Sequence, residues 1–173
     1  TDADNIWGTN ATGDVASAAA DAQFGTAVTW DYFKNGHGRS GIANDGKGAR
    51  SRVHYSSAYD NAFWSDSCFC MTYGDGSSFK PLVSLDVAGH EMTHGITSRT
   101  AKLIYSRESG GLNEATSDIF GTVVEFYAAN ASDPGDYQIG EKLATTALRD
   151  MVNPSSDGGS ADCWYKNVKQ LDV

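Results

Sequence analysis

His90, Glu91 and His94 stand in the run His90-Glu-Met-Thr-His94. Side chains four residues apart on a helix project from one face, so the two imidazoles can close on one metal ion. Glu91, about 100° further round the helix, can reach a water beside that ion without being a ligand. Amide hydrolysis by zinc needs this arrangement: ligands that leave one coordination position open, and a carboxylate that takes the water's proton. Downstream, Gly110-Gly-Leu-Asn113-Glu114 opens a second helical pattern in which Glu114 and Asp118 lie one turn apart. Glu114 is the natural third ligand. Asp118 can hold the free ring nitrogen of His90, and Asn113 can steady His94 in the same way, which sets each ring's tautomer and orientation.

The elements that must carry these residues follow from periodicity. Leu85 to Ser98 and Leu112 to Asn130 are the two expected metal helices. Another helix is predicted from Asp14 to about Gly36, with Val15, Ala18, Ala22, Thr26, Trp30 and Phe33 at three- and four-residue steps. The glycine-rich stretch 36–48 lacks the Lys-Ser/Thr helix start of a phosphate cradle and reads as a loop. Residues 49–57, 60–65 and 68–73, bounded by Gly74-Asp-Gly76, predict short strands of a mostly antiparallel sheet. After Pro134 the pattern is irregular, with a short helix predicted over Gly140–Met151 and a surface loop over 155–162.

A chain of 173 residues, 40% hydrophobic and 11% aromatic, suffices for one compact domain, or one large lobe plus part of another. The net charge of −9 argues against nucleic acid or an anionic membrane as partner. No apolar run approaches the roughly 20 residues that span a bilayer. There is neither a signal peptide nor an initiating methionine, so the expectation is a processed chain beginning at Thr1. In an extended strand Cys68 and Cys70 would point to the same face, which suits two separate partners better than one bridge between them. One bridge to Cys163 with the other thiol free or paired elsewhere, or three free thiols, are both compatible with the count. His37 and His54 stand outside any ligand spacing and read as structural hydrogen-bonding residues.

The chain resembles the thermolysin-like zinc endopeptidases. The likeness runs through Asp2-Ala-Asp-Asn5, Val53-His-Tyr-Ser56, Asn61-Ala-Phe-Trp64, Tyr73-Gly-Asp-Gly76 and Asp86-Val-Ala-Gly-His-Glu-Met-Thr-His94. It continues through Leu103-Ile-Tyr105, Glu108-Ser-Gly110, Asn113-Glu-Ala-Thr-Ser-Asp-Ile-Phe-Gly121, Val124-Glu-Phe-Tyr127 and Leu148-Arg149. It implies an α+β fold, with a catalytic lobe over 1–135 and the start of a helical lobe over 136–173, the remainder either supplied by a second polypeptide or missing because this is an excised fragment. Asp172 would then orient an imidazole carried on that remainder.

By the same resemblance Tyr105 and Arg149 flank the scissile group. A phenol can donate to a developing oxyanion, and a guanidinium can hold a substrate carbonyl. Asn61 and Ala62 match the edge-strand segment that binds extended substrate. Phe79, Leu82, Val87 and Leu148 match the main specificity pocket, implying cleavage before a bulky apolar residue. Asp86, Glu125, Asp136 and Glu141 match calcium ligands, with a second adjacent site in doubt because Gln138 stands where some relatives have glutamate. Asp2 and Asp4 match a further calcium position. The implied function is a secreted zinc endopeptidase acting on proteins and peptides. Its rival is a zinc-binding lobe without turnover, and the intact Glu91 favours the enzyme.

Overall fold

The computed structural model describes residues 8, 9, 11 and 13–163. The stretches holding Asp2, Asp4 and Asp172 lie outside the described residues. Among the described residues, three α-helices and two small sheets make up the fold: α1 (Ala18–His37), β1 (Arg50–Arg52), β2 (Ala62–Ser65), β3 (Cys70–Tyr73), α2 (Leu85–Arg99), α3 (Arg107–Ala128), β4 (Gln138–Ile139) and β5 (Arg149–Asp150). Segregated helices and strands of this kind are an α+β arrangement.

A single 3-10 turn, Val15–Ser17, leads into α1 and is capped by the Asp14 carboxylate on the Ala16 N–H. The helix passes the expected stop at Gly36 and closes on Gly38, whose φ of +65° is left-handed. Buried Ala18, Ala22, Thr29 and Phe33 form its inward stripe. α3 begins five residues earlier than expected, at Arg107 rather than Leu112, after the extended Ser106. Among the described residues no helix is long and apolar enough to cross a membrane.

The first sheet has the order β1-β3-β2. β2 and β3 form an antiparallel hairpin with Ala62 opposite Tyr73, whereas β1 runs parallel to β3 with Arg50 opposite Cys70. The three-stranded sheet is therefore mixed, where a mostly antiparallel one was expected. The connection over 53–61 carries the chain past β3 before the hairpin begins. Among the described residues β2 is an edge strand.

Two sequence expectations fail for one reason, that turns replace regular elements. Cys68 lies in the turn between β2 and β3, with Phe69 at φ +49°, so strand alternation does not apply. Cys68 and Cys70 are bonded to each other, and Cys163 is a free, exposed thiol. Residues 140–151 form no helix. Gly140, at φ +72°, starts a turn closed by Leu143 N–H on its carbonyl, and the returning chain pairs Ile139 with Arg149.

The core joins α1, α2 and the first sheet through Ala18, Ala22, Phe33, Ile42, Met71, Tyr73, Leu82, Val83, Val87, Met92 and Ile96. α2 is buried over most of its length. It meets α3 at a glycine pair: a Cβ on Gly89 would lie 3.0 Å from the Gly121 Cα, and one on Gly121 would lie 2.5 Å from the Asp86 carbonyl oxygen. Side chains at that crossing would hold the two backbones apart, and the glycines let them touch.

Candidate active site

The glycine contact sets the separation at which α2 and α3 present their polar side chains to each other. His90 and His94 from α2 bring their Nε2 atoms within 2.9 Å. Glu114 from α3 places Oε2 at 3.3 Å from His90 Nε2 and Oε1 at 3.3 Å from His94 Nε2. Ligands at ~2.0–2.1 Å from a tetrahedral zinc stand about 3.4 Å apart. The three donors thus fit such an ion with one position left over.

Each imidazole is held from behind. His90 Nδ1 lies 2.7 Å from Asp118 Oδ1, and His94 Nδ1 lies 2.6 Å from Asn113 Oδ1, with the Ser117 hydroxyl at 3.1 Å. An acceptor at Nδ1 keeps the proton there and leaves the Nε2 lone pair for the ion. Arg149, delivered by β5, grips the Asp118 carboxylate with two hydrogen bonds, from Nε at 2.6 Å and a terminal nitrogen at 2.8 Å. Tyr105 donates to Glu114 Oε1.

The electrostatics follow from burial among these charges. For His90, burial lowers basicity, but hydrogen bonds to Asp118 and Glu114 outweigh it and raise the imidazole to about 10. For Glu114, burial pushes the carboxyl up while the two histidines pull it well below the ordinary range. Glu91 is 5% exposed, and its Oε2 has no hydrogen-bond partner. Burial raises its carboxyl against the pull of His90 and His94. An orphaned buried carboxylate oxygen beside two metal-type histidines is a strong pointer to chemistry.

These residues open into a cleft of about 540 Å³. Asn61, Ala62, Leu82, Val87, His90, Glu91, His94, Tyr105, Asn113, Glu114, Leu148 and Arg149 all line it. Phe79 does not line it and packs against the core cluster. Trp64, Asp66, Ser98 and Leu103 also line the cleft and were missed, since no spacing links the β2 turn to the end of α2. His37 and His54 instead bond Tyr32 and Asp75, at 2.9 and 2.8 Å.

A second carboxylate cluster lies behind α3. Glu125, Asp133 and Glu141 place oxygens within 4.8 Å of one another. Asp133 was not foreseen; the expected Asp136 instead accepts from the Gln138 N–H at 2.6 Å and donates its own N–H to Glu125 Oε2. Asp86 stands beside the trio, fully buried and accepting from the Gly140 N–H. Burial first, then the neighbouring acids, raise Glu125 to about 8 and Glu141 to about 7. Glu125 Oε1 and Glu141 Oε2 are buried without hydrogen-bond partners, and a hard, oxygen-binding cation fits that set.

Three donors spaced for a metal on two touching helices, with a buried carboxylate next in sequence to the first of them, are the arrangement that metallopeptidases use. Comparison with known proteins gives the family. Residues 1–98 match the thermolysin metallopeptidase catalytic domain and residues 101–173 its alpha-helical domain, and the chain belongs to this family.

The Streptomyces mobaraensis protein called transglutaminase-activating metalloprotease is 60% identical over all of this chain and 23% of its own length. The thermostable neutral protease NprT of Geobacillus stearothermophilus is 44% identical, over 91% of this chain and 29% of its own. Thermolysin of Alicyclobacillus acidocaldarius is 46% identical, over 82% and 27%. The chain thus spans about a quarter of the length of these curated relatives. The solved structure of the protealysin precursor, a metalloproteinase from Serratia proteamaculans, superposes with a TM-score of 0.69 at 37% identity, covering 78% of this chain and 44% of that one.

Proposed function

We propose that this chain carries the catalytic centre of a zinc endopeptidase that cuts internal peptide bonds of proteins on the N-terminal side of bulky apolar residues. The observation that carries the proposal is Glu91: a buried carboxylate with an unpartnered oxygen, beside three donors spaced for zinc. Zinc, when bound by His90, His94 and Glu114, supplies Lewis acidity that brings the pKa of a bound water to about 7.

The chain's own residues do the rest. Glu91 takes the proton of the attacking water and passes it to the leaving amine. Its desolvated setting raises its basicity and suits that exchange. Tyr105, exposed at the mouth of the cleft, turns its phenol from Glu114 toward the developing oxyanion. Asp118 and Asn113 keep the imidazoles oriented. Arg149, braced by Asp118, holds a substrate carbonyl. Leu82, Val87 and Leu148 form the apolar wall that receives the side chain after the cut bond. The edge of β2, with Asn61 just before it and Ala62 at its start, takes the substrate as an added strand. Glu125, Asp133 and Glu141 hold calcium, and the Cys68–Cys70 disulfide supports work outside the cell, where disulfides persist.

The test is Glu91→Gln, which preserves size and removes the base. Zinc content stays at one equivalent, and peptide hydrolysis falls by roughly 10²–10⁴. Retention of most of the activity would overturn the assignment.

A further inference from the structure

Asp66 is a polar hub at one end of the cleft that the mechanism above does not use. Its Oδ1 accepts from Trp64 Nε1 at 3.0 Å and from the Ser98 hydroxyl at 2.9 Å, and it faces Arg99 Nη1 at 3.0 Å. Two of these partners, Ser98 and Arg99, belong to the last turn of α2. The third is the indole of β2. One carboxylate oxygen therefore joins the edge strand to the helix that carries both histidines.

The join is reinforced by packing. The Trp64 ring lies so close to α2 that a Cβ on Gly95 would meet it at 3.0 Å. Phe69 meets Trp64 edge to face at 5.2 Å, and the Arg99 guanidinium sits 5.6 Å above the Phe69 ring. Phe69 is the middle residue of the Cys68–Cys70 bridge. Movement of the indole would thus reach the strand edge.

The position along the cleft is also defined. His90, His94 and Ser98 step along α2 at four-residue intervals, so Ser98 lies about 12 Å beyond His90 at 1.5 Å per residue. Arg149 marks the His90 end through Asp118, and Asp66 marks the other.

We propose that Asp66 is a positioning residue that clamps the β2 edge to the end of α2 and thereby sets affinity for the part of a peptide lying beyond His94, away from Arg149. It acts through Trp64 and Ser98, and the proposal rests on the peptidase reading above.

The test compares three peptides with one scissile bond in the zinc-loaded full-length protein: a minimal substrate, and the same substrate lengthened by three residues on one side or the other. Asp66→Ala raises KM about tenfold for one of the two lengthened peptides. It leaves kcat, the minimal substrate and zinc content within about twofold. Asp66→Asn keeps an acceptor for the indole and the Ser98 hydroxyl, and restores most of the KM. Equal losses on all three peptides, or none, would overturn the clamp.

A readout independent of turnover separates this failure from that of the peptidase reading. The Trp64 indole N–H resonance shifts and exchanges faster with solvent in Asp66→Ala. An unchanged resonance sinks the clamp even if no peptide is cut, whereas absence of cleavage with the expected resonance shift sinks only the peptidase reading.

Discussion

Glu114 and the two histidines illustrate how single residues take their properties from their neighbours. Between them, with no ion present, His90 is held protonated by Asp118 and Glu114 to about 10. A ligand nitrogen must be free of its proton to bind metal, so zinc and protons compete for this site. Loading the metal-free protein at pH 7 therefore releases protons. Calorimetric titration with zinc in two buffers of different ionisation enthalpy measures this directly: the observed heat differs between the buffers. Asp118→Asn weakens the competition and reduces the proton count, and equal heats in both buffers would show that His90 is already neutral. The meeting of His90, His94, Glu114 and Asp118 was legible in the chain because four-residue spacing on a helix is geometry that the sequence itself encodes. Asp133 was not, since it joins Glu125 only after the chain turns at Asn130, where Asp133 N–H bonds the Asn130 carbonyl.

Between elements, the decisive contact is Gly89 against Gly121. Gly121→Ala forces a methyl to within 2.5 Å of the Asp86 carbonyl and must push α3 away from α2. The expected cost is about 1–3 kcal/mol of stability, as for other overpacked sites. Because Glu114 rides on α3, zinc affinity falls as well. Thermal melts with and without saturating zinc measure both effects. A mutant whose melting point and zinc affinity match the parent would mean the helices can separate without disturbing the donors. β2 and β3 were also readable as short strands, from their aromatic and β-branched residues and the bounding Gly74-Asp-Gly76. The parallel placement of β1 was not, because strand propensity carries no information about which neighbour a strand chooses. Likewise the 140–151 segment has helix-forming residues, yet pairing of Ile139 with Arg149 prevails because it seats the guanidinium on a buried carboxylate. Local propensity is a weak prior against such a contact.

For the molecule as a whole, the acidic cluster around Glu125 ties stability to pH and, on the function proposed above, to a cation. Glu125 and Glu141 sit at about 8 and about 7, above their ordinary value of 4.5. Between pH ~4.5 and ~8 the folded protein therefore keeps protons that the unfolded chain has released, and stability without calcium falls as pH rises through that window. Calcium bound there as proposed would offset the repulsion only where the carboxylates are otherwise charged. Melting points at saturating zinc, with and without calcium, should accordingly lie close together near pH 5 and diverge by pH 8. A gap independent of pH would remove this cluster as the cation site. Spacing and motif order were enough to point to the family and to the two helices that bring His90, Glu91, His94 and Glu114 together, since these depend on local helical geometry. Packing alone decided the distance between α2 and α3, the Cys68–Cys70 bridge, the grip of Arg149 on Asp118 and the union of β2 with α2 through Asp66. Each of those joins residues far apart in the chain or hinges on a turn's dihedral angles, and close packing in three dimensions, not local periodicity, selects among such contacts.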